Sequence, residues 1–206
     1  MKTLADLFTG SQSVKEYTDN YFGRLQLLLA ALDRNVIADI INRMEIASRN
    51  GNVMYFIANG GSAAAASHIV NDFVVGSYID TEPPFRAFCL SDNVPSLTAI
   101  SNDFGFEHSF TRQLKVHLQP GDIVVAMSVS GNSPNIVQAI EYARQADAVT
   151  IGMCGFDGGQ LAKEAEIVLH APSAKDEYGP IEDFFAIMVH IFTTYLAMSR
   201  GKRLAH

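Results

Sequence analysis

His68 and Asp72 stand four residues apart in the stretch "IANGGSAAAASHIVNDF", residues 57–73. That spacing puts both side chains on one face of a helix, one turn apart. An imidazole beside a carboxylate is an acid–base pair or two ligands of a divalent metal. On spacing alone a solvated, locally paired His–Asp accounts for the same letters. The helix that carries them begins at Asn59-Gly60-Gly61-Ser62. Two glycines permit close backbone approach, and a helix start offers unbonded N–H groups to an anion. By itself Gly-Gly-Ser is also an ordinary strand-to-helix turn.

A second loop changes the weighing. In "SVSGNSPN", residues 128–135, Ser128, Ser130, Asn132 and Ser133 surround Gly131. A helix follows at once, with Pro134 at its first position, where a missing N–H costs nothing. Three hydroxyls, a glycine and a helix N-terminus suit a phosphate monoester. A helix capped by Ser133 with spare serines is the plainer reading. The loop lacks the lysine and spacing of a nucleotide P-loop, and the chain has no G-x-G-x-x-G. No nucleotide cofactor is expected.

Both loops must be held by the same framework. "VMYFIA", "FRAFCLS", "DIVVAMSVS", "AVTIGMC" and "EIVLHA" are short apolar runs alternating with helical segments. That alternation predicts an α/β three-layer sandwich with a five-stranded parallel sheet. In such sheets ligands bind at the carboxyl ends of strands, where both loops fall. Ahead of the sheet, "SVKEYTDNYFGRLQLLLAALD" has helical periodicity with Ser11 or Ser13 as N-cap. A second helix, "VIADIINRMEIASRNG", has Asp33 or Asn35 as its cap and Gly51 as its stop. "GFEHSFTRQLKVHL" reads as one helix, and a long apolar helix runs from about Gly179 to Ser199. One domain over 1–206 is expected, with an N-terminal helical extension (1–51) and an α/β core plus C-terminal helix (52–206).

Composition limits the partners. Across 206 residues the net charge is −7, with 48% hydrophobic and 18% charged residues. This disfavours nucleic acid and anionic membrane surfaces, which need clustered Lys and Arg. "MKTLADLFTG" shows no apolar signal region, and no run reaches the roughly 20 consecutive apolar residues of a membrane span. Cys89 and Cys154 sit inside apolar runs and read as buried free thiols. A cytoplasmic protein is expected.

The stretches "NGGSAAAASH", "SNDFGFEHSF", "GDIVVAMSVSGNSPNIVQAI", "GFDGGQLA" and "IEDFFAIMVHI" together resemble the sugar isomerase (SIS) domain family, in its phosphoheptose isomerase branch. The resemblance covers nearly the whole chain and implies a flavodoxin-like sheet. It implies an aldose–ketose isomerase acting on sedoheptulose 7-phosphate through an enediol. Asp72 and His190 would be its acid–base pair. His68, Asp72, Glu182 and His190 would surround zinc or another divalent metal. Asn59, Gly60, Gly61, Ser62, Asp103, Ser128, Ser130, Asn132 and Ser133 would hold the sugar phosphate. The family usually has glutamate at Asp72, glutamine at Glu182 and threonine at Val129. Without the resemblance, His190 in "FFAIMVHIF" reads as a core histidine and Asp103 as a turn or cap aspartate.

Glu182 and His190 are eight residues apart on one helix, roughly 12 Å and about 80° around the axis. A single helix would struggle to bring both to one ion. A homo-oligomer, a tetramer with interfacial sites, would resolve this. The competing expectation is a non-catalytic SIS module that binds a sugar phosphate or docks another protein. Relatives that associate with a replication initiator usually lack the acidic residue and the final histidine, both of which stand here.

Overall fold

A computed structural model describes residues 3–203. Its strands are β1 (Val53–Ala58), β2 (Arg86–Cys89), β3 (Ile123–Ser128), β4 (Val149–Cys154) and β5 (Ile167–His170). All pair in parallel, in the order β2-β1-β3-β4-β5. This is the flavodoxin-like order, and the sheet reverses its winding between β1 and β3. β1 and β3 are buried along their whole length. Burial on both faces is why they read as unbroken apolar runs rather than as alternating ones.

Side chains alternate between two cores, as the pleat requires. Met54, Phe56, Val125 and Met127 face a layer made by α2 (Val14–Ala30), α3 (Arg34–Asn50), α4 (Gly60–Asn71) and α9 (Tyr178–Ser199). Tyr55, Ile57, Val124 and Ala126 face α6 (Thr111–His117), α7 (Pro134–Gln145) and α8 (Leu161–Glu164), with α5 (Val94–Phe104) beside them. The N-terminal helices are tied to the start of α9 by polar contacts. Arg24 donates twice to the fully buried Glu177 carboxylate, at 2.5 and 2.7 Å. Tyr21 donates its hydroxyl to Asp183 at 2.6 Å. Burial and that carboxylate together raise the Tyr21 pKa.

Three local features depart from the sequence reading. A short helix, α1 (Leu4–Gly10), precedes Ser11, with Thr3 and Asp6 capping it reciprocally. The predicted single helix over "GFEHSFTRQLKVHL" is broken into a 3-10 turn, Phe106–His108, and α6. The break falls where the buried Ser109 accepts a hydrogen bond from Asn135 and Phe110 enters the core. Finally, α4 continues past Asn71 into a wider π turn over Asp72–Gly76, closed by Ser77 N–H donating to the Asp72 carbonyl at 2.8 Å. Such π turns concentrate at functional sites.

α9 is long and apolar enough to cross a membrane by length and composition, and half of its most apolar window is buried inside the fold. Cys89 and Cys154 are free and buried, as expected.

Candidate functional site

A cleft of about 270 Å³ opens at the carboxyl edge of the sheet, between the loops that follow β1 and β3. This is the point where the winding reverses, the place such sheets bind ligands. Asn59, Gly60, Gly61 and Ser62 line one side, and Ser128, Val129, Ser130 and Ser133 the other. Tyr178 and Glu182 of α9 close the rim. No Lys or Arg lines the cleft. The N-termini of α4 and α7 meet there, each presenting unbonded N–H groups and the positive end of a helix dipole, features that suit an anion.

The serine loop leaves hydroxyl capacity unspent. Ser133 occupies the N-cap position of α7, yet its hydroxyl makes no capping bond. Ser128 and Ser130 each accept one backbone N–H within the loop, from Gly131 at 3.1 Å and Asn132 at 3.2 Å. Gly131 has φ +65°, and a Cβ there would lie 2.1 Å from the Gly158 carbonyl oxygen. The loop therefore packs backbone to backbone on residues 158–160, and only glycine fits. Leu161 N–H to the Gly131 carbonyl (2.9 Å) and Gln160 N–H to Asn132 Oδ1 (3.1 Å) complete that seam.

From the cleft, α4 and α9 run side by side in the same direction. Their facing residues form three polar rungs. At the top, Ser62 Oγ lies 3.4 Å from Glu182 Oε1. Lower, the rings of His68 and His190 meet edge to face, with centroids 4.9 Å apart at 81°. Lower still, Thr193 Oγ1 lies 3.3 Å from Asp72 Oδ2, while His68 Nε2 is 3.3 Å from Asp72 Oδ1. One ligand atom from each of His68, Asp72 and His190 can be chosen so that all three lie within 4.8 Å of one another. Two imidazole nitrogens and a carboxylate are the donor set of an open zinc site, with a fourth position left over.

The sequence profile of the SIS domain matches residues 16–155. The chain is 39% identical over 139 residues to the phosphoheptose isomerase of Rhodospirillum rubrum, covering 68% of this chain and 73% of that protein. It is 38% identical over 155 residues to the phosphoheptose isomerase of Trichlorobacter lovleyi, covering 75% and 78%. The chain belongs to the SIS domain family, in its phosphoheptose isomerase branch. The structure of a phosphoheptose isomerase from Francisella tularensis superposes with a TM-score of 0.81 at 26% identity, over 90% of this chain and 96% of that one.

Set in the SIS fold, the expected site residues separate into groups. Asn59–Ser62, Ser128, Ser130 and Ser133 meet in the cleft. His68, Asp72 and His190 meet below it. Glu182 belongs to the first group and not the second. Its carboxylate lies against Gly61, where a Cβ would come within 2.4 Å of both oxygens. Eight residues of helix keep it from the His190 level. Asn132 does not line the cleft, because its side chain is spent on the Ser130 carbonyl and Gln160 N–H. Asp103 is exposed near the end of α5 and accepts from Asn102, away from the cleft walls.

Two contributors were not among the expected residues. Asn135 pairs reciprocally with Asn59 through two 2.9 Å amide bonds, locking the β1 loop to the α7 start. Tyr178 stands at the rim, edge-on to Phe156 at 5.3 Å. Asn135 lies inside the "SVSGNSPN" motif, but its role comes from a partner 76 residues away.

Proposed function

We propose that this chain is a sugar-phosphate aldose–ketose isomerase that interconverts sedoheptulose 7-phosphate and a heptose 7-phosphate. One observation carries the reading: the parallel pair α4–α9 joins an anion cleft at its top to an imidazole–carboxylate cluster further down. Ser62 and His68 are six residues apart, about 9 Å along the helix axis. An extended phosphosugar spans such a distance. Ser128, Ser130, Ser133 and the α7 N-terminus hold the phosphate. Asn59–Ser62 and Glu182 face the sugar hydroxyls.

The reaction then runs at the lower end. From the ketose, one of Asp72 and His190 removes a C1 proton while the other protonates the C2 carbonyl oxygen. The resulting enediol becomes the aldose as O1 gives up its proton and C2 receives one. Positioned proton transfer of this kind contributes about 10²–10⁴ in rate. His68, Asp72 and His190 fit zinc or another divalent ion. When bound there, the ion supplies Lewis-acid polarisation of the sugar carbonyl.

We also infer that 1–206 is one SIS domain acting as a cytoplasmic homotetramer, with no nucleic-acid or membrane partner. Val74, Val75, Ile191, Tyr195 and Met198 are exposed apolar side chains on the π turn and α9, beside His190. Copies of the chain packing there would cover them, and a monomer in light scattering would refute the assembly. The non-catalytic alternative is not favoured, because the relatives are named as isomerases, and the proximity of the Asp72 carboxylate and the His190 imidazole supports the catalytic reading.

The test is the assay itself. Purified protein given sedoheptulose 7-phosphate in D₂O should form the aldose and take up solvent deuterium at C2. Protein that binds the ketose phosphate yet shows neither, with or without added zinc, would overturn the reading.

A further inference from the structure

We infer a second ligand site in the groove between α5 and α6, suited to a phosphorylated small molecule that carries a flat aromatic group, as purine nucleotides do. It is separate from the cleft and independent of the isomerase reading. The two cavities share no lining residue.

The charge pattern is the first observation. The chain carries a net charge of −7, and most arginines are already paired. Arg24, Arg43, Arg49, Arg144 and Arg200 each meet a carboxylate. Arg112 and Lys115 pair with no carboxylate among the described residues. Both line a groove of about 500 Å³, together with His117, and no Asp or Glu lines it. The Arg112 guanidinium is held flat over the Phe104 ring, with Cζ 3.5 Å from its centroid. One face is covered by the ring, and the N–H edges remain to meet an anion. A guanidinium held this way is preorganised for bidentate phosphate recognition. The isomerase cleft has the opposite pattern, a carboxylate and no cation.

The second observation is an aromatic slot that opens off the same groove. It holds about 280 Å³ and is walled by Tyr55, Phe88, Cys89 and Leu90. It shares Asn93, Gln113 and His117 with the cationic groove, so the two spaces adjoin. Phe88 projects from the edge strand β2 and remains 54% exposed, stacked on Tyr55 at 6.3 Å and 25°. The shared wall is fixed rather than loose. Gln113 donates to the carbonyls of Leu90 and Ser109, and Tyr55 donates to the carbonyl of His117. A ligand with its ring in the slot would place its phosphates beside Arg112, Lys115 and His117. Small-molecule sites of this kind pair an apolar pocket with a few fixed polar groups.

The slot also has a route to the isomerase cleft. Asn135 donates to Ser109 Oγ at 3.1 Å and pairs with Asn59, which lines the cleft. Gln113 reaches the backbone of the same Ser109.

Calorimetric titration of the full chain with ADP, adenosine and inorganic phosphate tests the assignment. ADP should bind saturably and about tenfold or more tighter than either fragment. Arg112→Gln with Lys115→Gln should weaken ADP by about tenfold or more, the loss expected for two charge-assisted contacts. Phe88→Ala should weaken ADP while leaving phosphate unchanged. Ser133→Ala, in the other cavity, should leave ADP affinity as it was. All these side chains are on the surface or unbonded, and thermal melts establish that the variants fold. No saturable ADP binding, equal affinity for ADP and phosphate, or ADP affinity unmoved by the Arg112/Lys115 pair of changes would each overturn the proposal.

Discussion

The two ends of the α4–α9 pair are built from different materials. At the top, the cleft is made of backbone N–H groups, glycines and short hydroxyl side chains, with no cation among its walls. At the lower end, His68, Asp72 and His190 supply long titratable side chains, and few bonds orient them. A helix terminus is fixed by the whole fold, so an anion site built on one should survive the loss of one hydroxyl. A proton must leave from one atom and arrive at another. The lower end therefore depends on single side chains in a way the upper end does not.

The strongest way to break this division is Asp72→Ala. It should lower kcat by about 10²–10⁴ while sugar-phosphate affinity moves only severalfold. Steady-state kinetics beside a direct binding titration checks it, and equal losses in both would show that the two ends are not separable. Ser133→Ala is the reciprocal change and a smaller one. Its hydroxyl makes no capping bond, so stability should hold. KM should rise by about tenfold with kcat nearly unchanged, as expected when one hydrogen bond to a charged group is lost. A fall in kcat without a rise in KM would place that hydroxyl at the chemistry instead.

The upper end was the more legible in the sequence, for the same material reason. Glycines, serines and a proline at a strand-to-helix junction state their backbone geometry locally. Gly60-Gly61-Ser62 and the serines Ser128, Ser130 and Ser133 all line the cleft at the sheet edge where their letters put them. Parallel strands buried on both faces also announce themselves as apolar runs. What the letters do not carry is pairing across the chain. The reciprocal Asn59–Asn135 bond, the Tyr178 rim and the Ser62–Glu182 rung all depend on how α9 and α7 dock. Asn132 reads as a ligand contact because its loop neighbours do, and Asp103 only through the family resemblance. The structure turns Asn132 onto the adjoining loop and leaves Asp103 exposed. The π turn that starts at Asp72 has no composition signal, since it differs from an α-helix only in the wider span of its backbone hydrogen bonds, as from Ser77 N–H to the Asp72 carbonyl.

Gly61 sharpens the comparison at the rung the two ends share. A Cβ at this position would come 2.4 Å from both Glu182 carboxylate oxygens. Gly61→Ala should therefore swing the flexible end of Glu182 out of the cleft and cost about 0.5–1.5 kcal/mol in chemical denaturation, the scale of a displaced rotamer. Gly61→Ala with Glu182→Ala should recover most of that loss, because the clashing group is gone. If the double variant is no more stable than the single one, the strain lies in the backbone of α4 and not in the carboxylate against it.

The smallest expected effect concerns a residue one strand away from the upper end. Cys154 is in register with Ser128 across β3 and β4, one strand from the phosphate loop. Its side chain belongs to the core on the α7–α8 face. Burial raises its thiol from the usual 9.0 to about 12, and burial likewise raises Cys89 to about 11. A thiol whose folded pKa is raised contributes stability that is fully present below its unfolded pKa near 9 and is lost as pH rises through the folded value. Neither thiol should form the reactive thiolate at pH 8. Native protein should then resist alkylation by iodoacetamide at that pH with activity unchanged, while urea-unfolded protein reacts at both cysteines. Melting temperature should decline only modestly from pH 9 towards pH 11, on a slope that Cys154→Ala makes shallower. Rapid inactivation by iodoacetamide at pH 8 would instead bring Cys154 into the cleft.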